Sequence, residues 1–479
     1  MTRIDVLPDD ILLEIFYFYM NEYSITLETK RDVEAWQSLV HVCRRWRSLV
    51  FESPRRLSLR LCCSASTPAK DRLDAWPALP LVINGFIAMA LSSGTDNVIA
   101  ALGQSNRVCR VILFGVADWQ LEKFLAVMQV PFPELTVLQL SAYDETAPII
   151  PDSFLGGSAT RLQCFELDGI PFPGLPNLLS SATHLVYLDL TDIPHSGYIS
   201  PGSMADLLSV LSCLRAFTLG FQSPQSRPDQ ESQSLLPPKH TLLPALDRLH
   251  FKGVTEYLEQ LVTRVDAPQL FNMNITFFNQ IDFDFPRLAQ FINRTPTLRA
   301  LNEARVQFND RIANIALQSR PSKTNFVDLQ INILCVEPDW QLSSIEQFCS
   351  SSLHPLSTVE ELYFESHSSA LVWENDATES TLWLGVLLPF TAVRNLYLSK
   401  KFAPAIGAPA LQELIGARIT EVLPSLRNIF VEDVDPSGYR SFEKNVGQFV
   451  AARQLSDHPV AISLYGDAIS LSGTFLGDW

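Results

Sequence analysis

The segments LTVLQL (135–140), LQCFEL (162–167) and LVYLDL (185–190) share one pattern of apolar residues. In each, two residues separate the first apolar position from the second, and one residue separates the second from the third. Successive side chains of a β-strand point to opposite faces, so the second and third apolar residues lie on the same face. The three segments therefore predict short strands that each bury one face.

The same pattern recurs along most of the chain, at steps of 23 to 34 residues. A poor copy, LRALNE, begins at residue 298. Repeats of this length are typical of solenoids, in which each unit buries its apolar face against its neighbours. The other copies are VCRVIL (108–113), LRAFTL (214–219), LDRLHF (246–251), LFNMNI (270–275), FVDLQI (326–331), VEELYF (359–364), VRNLYL (393–398) and LRNIFV (426–431).

Segments with helical periodicity occupy several of the gaps between the strands. They are SMADLLSVLSCL (203–214), with Ser203 as the expected N-cap, TEYLEQLVTRV (255–265) and LQELIGARITEVL (411–423). Alternating short strands and helices predict an α/β solenoid. A β-solenoid with three strands per turn is the alternative architecture. The polar, proline-rich segment 223–244 is interpreted as a loop inserted within one repeat.

Over residues 76–465 the chain resembles leucine-rich-repeat proteins. The resemblance implies about twelve repeats with a parallel sheet on the concave face. The sequence departs from that family because no copy carries the expected Asn or Cys three residues after the third apolar position. The residues found there include Tyr143, Ile170, Ile193 and Lys401. An asparagine ladder at that position therefore cannot join successive repeats.

Two apolar helices are predicted at the amino-terminal end. Leu7, Ile11, Leu12, Ile15 and Phe16 follow helical spacing within LPDDILLEIFYFYM (7–20), and acidic residues occupy the first turn, as helix starts prefer. A second apolar stripe runs through WQSLVHVCRRWRSLV (36–50). Two such helices are too small to form a stable core alone, so they must pack against the rest of the chain or against a partner.

This pair resembles the F-box, whose pattern LPxxILxxIF followed by LxxVCRxWRxL is matched at residues 7–16 and 39–49. The resemblance implies an all-helical F-box at residues 1–54, a linker strand and loop at 55–75, and the solenoid with its carboxy-terminal cap at 76–479. It also implies binding to a Skp-type adaptor and cullin scaffold. The implied adaptor contacts are Leu7, Pro8, Ile11, Leu12, Ile15, Phe16, Val42, Cys43, Trp46 and Leu49.

Composition excludes several classes of partner. The chain is 47% hydrophobic, enough for a large core, and its formal net charge of −16 disfavours nucleic acid and anionic membrane surfaces. No signal peptide or membrane-spanning stretch is apparent. The eight cysteines form no CxxC pair and are interpreted as reduced thiols. We therefore expect an intracellular protein of the cytoplasm or nucleus.

One residue in each strand points away from the core, between the last two apolar residues. Eight of these residues are polar: Gln139, Glu166, Asp189, Thr218, His250, Asn274, Asn302 and Gln330. The last three are aromatic, and acids and amides flank them, as at protein-binding hot spots. We predict a target-binding surface for a basic partner, formed by Tyr363, Tyr397, Phe430, Glu361, Glu365, Asn395, Asn428 and, on a separate loop, Trp373. Alternatively, the terminal segment 441–465 covers these aromatic residues as core.

No phosphate-binding glycine loop, HExxH motif or nucleophile elbow is found, and the histidines are scattered. We expect no catalytic residues, no metal site and no cofactor. The predicted function is that of a substrate-recognition subunit of an SCF-type cullin-RING ubiquitin ligase. The alternatives are an interaction scaffold outside any ligase and, least favoured, a solenoid hydrolase using paired acids such as Glu166 and Asp168.

Overall fold

The computed structural model divides the chain into two compact units, residues 1–199 and 200–479. Both units combine helices with a predominantly parallel sheet. The structure describes residues 7–21, 33–87, 92–144, 146–228, 240–278, 285–319, 327–335, 337–351, 353–366, 377–399, 402, 420–432 and 436–465.

The first unit begins with three helices, α1 (Asp9–Asn21), α2 (Trp36–Val40) and α3 (Arg44–Glu52), which we call the headpiece. Six parallel strands follow and pair in chain order. They are β1 (Leu61–Cys63), β2 (Leu81–Phe86), β3 (Val108–Val116), β4 (Val137–Ala142), β5 (Cys164–Asp168) and β6 (Tyr187–Ile193). Between them lie α4 (Ala69–Ala75), α5 (Ser92–Leu102), α6 (Asp118–Val127), α7 (Leu175–Leu179) and short 3₁₀ turns.

The strand register of the first unit confirms the two-sided pattern. Leu138, Phe165 and Leu188 pair in one row and are almost fully buried. The alternate row holds Gln139 and Glu166 with Asp189, whose side chains are only partly buried. Because each parallel pair is in register, the apolar rows stack into a continuous core while the polar rows share the opposite face.

The second unit contains α8 (Pro201–Leu208), α9 (Thr255–Val262), α10 (Pro286–Arg294), α11 (Pro338–Ser350), α12 (Ala377–Leu387) and α13 (Pro436–Leu455). Its main strands are β7 (Ala216–Phe221), β9 (Arg248–Gly253), β11 (Asn272–Phe277), β12 (Glu303–Phe308), β13 (Ile312–Gln318), β14 (Leu329–Leu334), β15 (Glu361–Ser366), β16 (Asn395–Leu398), β17 (Asn428–Glu432) and β18 (Ala461–Tyr465). They form one sheet in the order β7-β9-β11-β14-β13-β12-β15-β16-β17-β18. A separate pair joins β8 (Thr241–Leu242) to β10 (Val265–Asp266).

The poor repeat copy at residue 298 is not a strand. Leu298 ends a 3₁₀ turn, and the strand starts later, at Glu303. From there the chain forms three antiparallel-linked strands, β12, β13 and β14, and returns so that β14 pairs with β11 while β12 pairs with β15. One repeat is therefore replaced by a reversed meander, and β13 is antiparallel to both neighbours.

Three further sequence expectations are corrected or refined. The N-cap of α8 is Ser200, whose hydroxyl accepts from the backbone N–H of Ser203, so the helix is capped three residues before the predicted N-cap, Ser203. The expected linker strand at 55–61 is mostly turns, and β1 begins only at Leu61. The predicted loop 223–244 ends in β8, whereas 229–239 lie outside the described residues. The helix predicted over 255–265 is confirmed as α9 up to Val262, whereas Val265 already belongs to β10.

The helices and 3₁₀ turns between consecutive parallel strands exclude the alternative β-solenoid with three strands per turn. The predicted helix over 411–423 lies largely outside the described residues. What the structure establishes is a mixed α/β architecture whose long, mostly parallel sheets fit a solenoid.

Candidate functional site

The headpiece has a small core of its own. Phe16 of α1 packs against Trp46 of α3 with their ring centroids 4.7 Å apart, and both Phe16 and Leu12 are fully buried. Leu49 is also buried. Burial inside the chain means that Leu12, Phe16 and Leu49 cannot themselves contact an adaptor in this conformation. In this structure these three predicted adaptor contacts therefore lie in the interior of the headpiece.

The opposite side of α1 exposes large apolar side chains. Ile11 is 47% exposed, Ile15 42% and Phe18 69%. Spacings of four and three residues place them on one helix face, which we call the docking ridge. Tyr17 and Tyr19 are exposed beside it. The pattern of residues 7–16 predicted the first two, whereas Phe18 was missed because it lies beyond that pattern.

The other predicted adaptor contacts are at least partly accessible. Pro8, Val42 and Cys43 are exposed, and Leu7 and Trp46 are half-buried. The sulfur of Cys43 also accepts from the backbone N–H of Trp46, so this side chain caps α3. The exposed subset of the predicted contacts is therefore Pro8, Ile11, Ile15, Val42 and Cys43.

The arginines of RRWR (44–47) lock the headpiece together. Arg45 forms an ion pair with Asp9 and donates to the carbonyl of Leu7 at 2.6 Å. Arg47 donates to the carbonyl of Val40 at 3.0 Å. These bonds join α3 to the start of α1 and to the end of α2. Two of the four residues, Arg45 and Arg47, therefore fix the helices that carry the ridge.

A buried ion pair ties the headpiece to the first strand. Glu34, just before α2, binds the guanidinium of Arg72 through both carboxylate oxygens at 2.8 Å. It also accepts from the backbone N–H of Cys62 at 2.9 Å. Nearby, the indole N–H of Trp36 donates to the backbone carbonyl of Arg60, and the ring centroids of Trp36 and Trp76 lie 5.0 Å apart. The headpiece is therefore rigidly connected to β1 and α4 by polar and aromatic contacts.

The polar face of the first unit carries clustered carboxylates. Glu166 accepts from Gln139 at 2.6 Å, and Asp168 accepts from Ser141 at 2.9 Å. Burial, followed by the charges of Asp189 and Asp168, raises the pKa of Glu166 to about 7. Burial, followed by the charges of Glu166 and Asp189, raises the pKa of the Cys164 thiol to about 11, which makes it a poor nucleophile.

Three aromatic side chains of the second unit form a continuous stack, which we call the aromatic ladder. Tyr363 and Tyr397 stack with ring centroids 4.2 Å apart and an interplanar angle of 6°. Tyr397 and Phe430 stack at 4.7 Å and 14°. The three side chains pair in register across β15, β16 and β17 and are half-buried. The predicted alignment of these residues is therefore found in the structure.

A polar ladder runs beside the aromatic one. Asn428 donates to Asn395 at 2.9 Å, and Asn395 donates to Glu361 at 3.3 Å. Glu361 is buried, whereas Glu365 is half-buried on the far side of the aromatic ladder. Trp373, the remaining predicted target contact, lies outside the described residues. Amide and carboxylate groups thus border the stacked rings on both sides.

The terminal segment 441–465 does not bury the aromatic ladder. Of this segment, β18 pairs edge to edge with β17, and Ser463 lies beside Phe430 in the register. Ser463 is exposed and the ladder residues stay half-exposed, so within the described part of the chain β18 extends the sheet without covering its face.

Arg305 is a component of this surface that sequence reasoning missed. Its position in β12 is in register with Tyr363, and its guanidinium carbon lies 4.5 Å from the centre of that ring. Asn302, the residue predicted for this row, precedes the strand. The poor repeat copy concealed Arg305 because the pattern began five residues before the true strand.

No group of three or more His, Cys, Asp or Glu side chains suited to a metal ion occurs within the described ranges. His250 lies 3.1 Å from the Asn272 side chain, which is an ordinary local bond. Among the helices that the structure describes, none is long and apolar enough to cross a bilayer.

Comparisons with known proteins give a weak likeness. No family model and no curated protein matches the sequence. A crystal structure of the leucine-rich repeat-containing protein LegL7 from Legionella pneumophila is similar over 82% of this chain and 97% of that one. The TM-score is 0.27 and the sequence identity 12%. A likeness at this level carries no argument about function.

Proposed function

We propose that this chain is a non-catalytic substrate-recognition subunit of an SCF-type cullin-RING ubiquitin ligase. The headpiece acts as an F-box that binds a Skp-type adaptor, and the leucine-rich-repeat-like solenoid binds a protein target. The complex works in the cytoplasm or nucleus, and the ubiquitin chemistry takes place on other subunits. A basic protein is the favoured target because the chain carries a net charge of −16.

The docking ridge is the single observation that carries the proposal. Its apolar side chains are exposed although the headpiece core beneath them is already closed by Phe16, Trp46 and Leu12. Three large apolar side chains, each about one helical turn from the next on the same face, are unfavourable in water unless a partner covers them. A helix that presents apolar anchors at this spacing suits insertion into a groove of another protein. The match of residues 7–16 and 39–49 to the F-box pattern indicates that this partner is a Skp-type adaptor.

Adaptor capture by the purified full-length chain tests the proposal. Ile11→Asp with Ile15→Asp places charges on the ridge without entering the headpiece core. Removing central apolar anchors of an interface costs about 2 kcal/mol or more, so we expect the double variant to bind a Skp-type adaptor at least about tenfold more weakly. Binding is measured by co-purification and by surface plasmon resonance.

The matched control is Val130→Asp, which charges an equally exposed aliphatic side chain elsewhere in the first unit. It should bind the adaptor like the wild type. Trp46→Ala is a weaker choice because Trp46 packs against Phe16 and its loss would disturb the headpiece itself. Wild-type adaptor affinity in the double ridge variant, or no adaptor binding by the wild type, would contradict the proposal.

A further inference from the structure

Two neighbouring phenylalanines, which we call the phenylalanine patch, lie on the sheet of the first unit. Phe86 on β2 is in register with Phe114 on β3; the first is 68% exposed and the second is half-buried. Ile112, two residues before Phe114, is in register with Gln139. Side chains two residues apart share a face of a strand, so the patch lies on the face that also carries Glu166, the neighbour of Gln139.

The exposure of the patch is high for aromatic side chains. Phe86 is as accessible as Phe18 of the docking ridge, whose exposed fraction is 69%. Two adjacent phenyl groups in contact with water are unfavourable, and aromatic side chains are enriched where proteins bind one another. The patch is therefore suited to receive an apolar side chain of a partner.

Further along the same face, carboxylates replace the aromatic groups. Glu166 and Asp168 project from β5, and Asp189 on β6 is in register with Glu166. In the described part of the chain, every hydrogen-bond partner of Glu166 and Asp168 is neutral. These partners are Gln139 for Glu166, and Ser141 and Thr191 for Asp168. A cation from another molecule would therefore meet carboxylates that no described arginine or lysine holds.

Strand spacing sets the distance between the patch and the carboxylates. The strands pair in chain order, so three steps lead from the patch on β2 and β3 to the carboxylates on β5 and β6. Neighbouring strands lie about 4.8 Å apart, which makes this distance about 14 Å. An extended polypeptide advances about 3.3 Å per residue and spans the distance with about four residues. Residues four apart also point to the same side of an extended chain.

We propose that this face of the first unit binds an extended segment of the target protein that carries an apolar residue and, about four residues away, basic residues. The apolar side chain packs on Phe86 and Phe114, and the basic side chains bind Glu166 and Asp168. This inference deepens the target-binding half of the proposed function and rests on it. Charge complementarity selects the occupant, because the carboxylates attract a basic segment and repel an acidic one.

Three labelled peptides of equal length test the spacing, with glycine and serine at the other positions. The first has two arginines that begin four residues after a leucine, the second has them directly after the leucine, and the third has serine in place of the leucine. Fluorescence anisotropy measures binding to the full-length chain. We expect the first peptide to bind about tenfold more tightly than the third, because it buries a leucine side chain. It should bind about threefold more tightly than the second, which reaches only one end of the face.

Phe86→Ser tests the apolar end. It removes an exposed ring, so it should weaken binding of the first peptide about tenfold and leave binding of the third unchanged. Phe271→Ser is the matched control, because Phe271 is an exposed phenylalanine of the second unit. It should bind all three peptides like the wild type.

Glu166→Gln combined with Asp168→Asn tests the acidic end. The double variant keeps hydrogen-bond acceptors for the neighbouring side chains but loses both charges, so it should bind the first peptide about threefold more weakly. Glu122→Gln combined with Asp206→Asn is the control of equal charge, because Glu122 and Asp206 are exposed acids on helices. It should bind like the wild type.

A pH series distinguishes a charge contact from a structural effect. Burial, followed by the charges of Asp189 and Asp168, raises the pKa of Glu166 to about 7. Glu166 faces Asp189 on β6 and the neutral amide of Gln139 on β4, with Asp168 and Cys164 on its own strand. Arginine stays protonated at these pH values. Affinity for the first peptide should therefore rise as the pH increases through 7, and Glu166→Gln should remove this rise.

Equal binding of the first and third peptides to the wild type would overturn the proposal, as would equal binding of the first and second. Unchanged binding of the first peptide to folded Phe86→Ser or to the folded acidic double variant would do the same, and circular dichroism establishes folding. The measurement uses no adaptor. Loss of peptide selectivity with intact adaptor binding would refute this binding face alone, whereas intact selectivity without adaptor binding would support the face and refute the ligase assignment.

Discussion

Glu166 is a carboxylate whose surroundings raise its pKa above the ordinary value. The repeat pattern correctly placed it on the polar face, and its proximity to Asp168 raised the possibility of an acid/base pair. In the structure its strongest partner is the amide of Gln139, at 2.6 Å. Its raised pKa has burial as the first cause and two neighbouring carboxylates as the second. A carboxylate crowded by like charges is a local source of instability near neutral pH.

Stability should depend on pH through Glu166. Its folded pKa of about 7 lies above the ordinary value of 4.5, so the folded state binds the proton more tightly than the unfolded state. The resulting stabilisation is complete below pH 4.5 and is lost as the pH rises through 7. Glu166→Gln removes this dependence, and the variant should be more stable than the wild type above neutral pH. Chemical denaturation at a series of pH values measures the difference.

Gln139→Leu provides the opposite change. The Gln139 amide favours the charged form of Glu166, so its removal should raise the pKa of Glu166 further and shift the loss of stability to higher pH. If the unfolding free energies of Glu166→Gln and the wild type depend on pH in the same way, the pKa of Glu166 is the same in the folded and unfolded states. That result would contradict the expectation.

At the scale of elements, the position of a strand depends on the hydrogen bonds that fix the turn before it. The turn before β17 contains Leu423, with a positive φ of 47°, and its carbonyl accepts from the guanidinium of Arg453 at 3.2 Å. Arg453 projects from α13, is fully buried, and also donates to the carbonyls of Val422 and Leu426 at 3.5 Å. Burial lowers its pKa. A helix late in the chain therefore fixes the turn that positions Phe430.

Replacing Arg453 should loosen β17. Arg453→Met keeps an unbranched side chain but removes every donor, which leaves buried carbonyls without this partner. Hydrogen bonds to charged groups contribute about 1.5 to 3 kcal/mol each, so we expect a loss of about 2 kcal/mol or more in unfolding free energy. Hydrogen exchange of the β17 amides and urea denaturation measure the effect.

Arg453→Lys restores one cationic donor and should recover part of the lost protection. If the β17 amides exchange at the wild-type rate in folded Arg453→Met, the guanidinium does not hold this turn.

Across the whole first unit, the boundary between headpiece and sheet is not a break in the structure. Sequence resemblance places the F-box at 1–54 and a linker at 55–75. In the structure the proposed linker contains β1, α4 and Arg72, and Glu34 binds Arg72 across that boundary. Both side chains of this pair are largely buried. The headpiece that carries the docking ridge therefore packs against β1 and α4 and shares a core with them.

A chain that starts at residue 55 should be destabilised. It retains Arg72 and the Cys62 N–H but lacks Glu34 and Trp36. Leaving one partner of a buried ion pair alone costs about 3 to 5 kcal/mol. We expect a lower unfolding temperature and protease cleavage near β1 and α4, measured by thermal unfolding and limited proteolysis.

Full-length Glu34→Gln isolates the ion pair from the other losses. It should show an intermediate effect, because the amide can still accept from Cys62 but carries no charge for Arg72. Wild-type stability in the truncated chain would mean that headpiece and sheet are independent domains.

The sequence by itself determined the alternation of strands and helices, the buried row of each strand and the polar or aromatic row beside it. These features depend on spacings within a few residues, and a spacing is read directly from the chain. It also located the headpiece and the aromatic ladder, because both are local clusters of apolar or aromatic residues in a repeating register.

Only the tertiary structure decided which headpiece residues face inward. Leu12 and Ile11 are adjacent and equally apolar, yet one is fully buried and the other is half exposed, because the choice depends on α3 packing against one side of α1. The reversed meander that places Arg305 against Tyr363 was equally hidden. That contact joins residues 58 positions apart, and no local periodicity encodes which distant strands become neighbours.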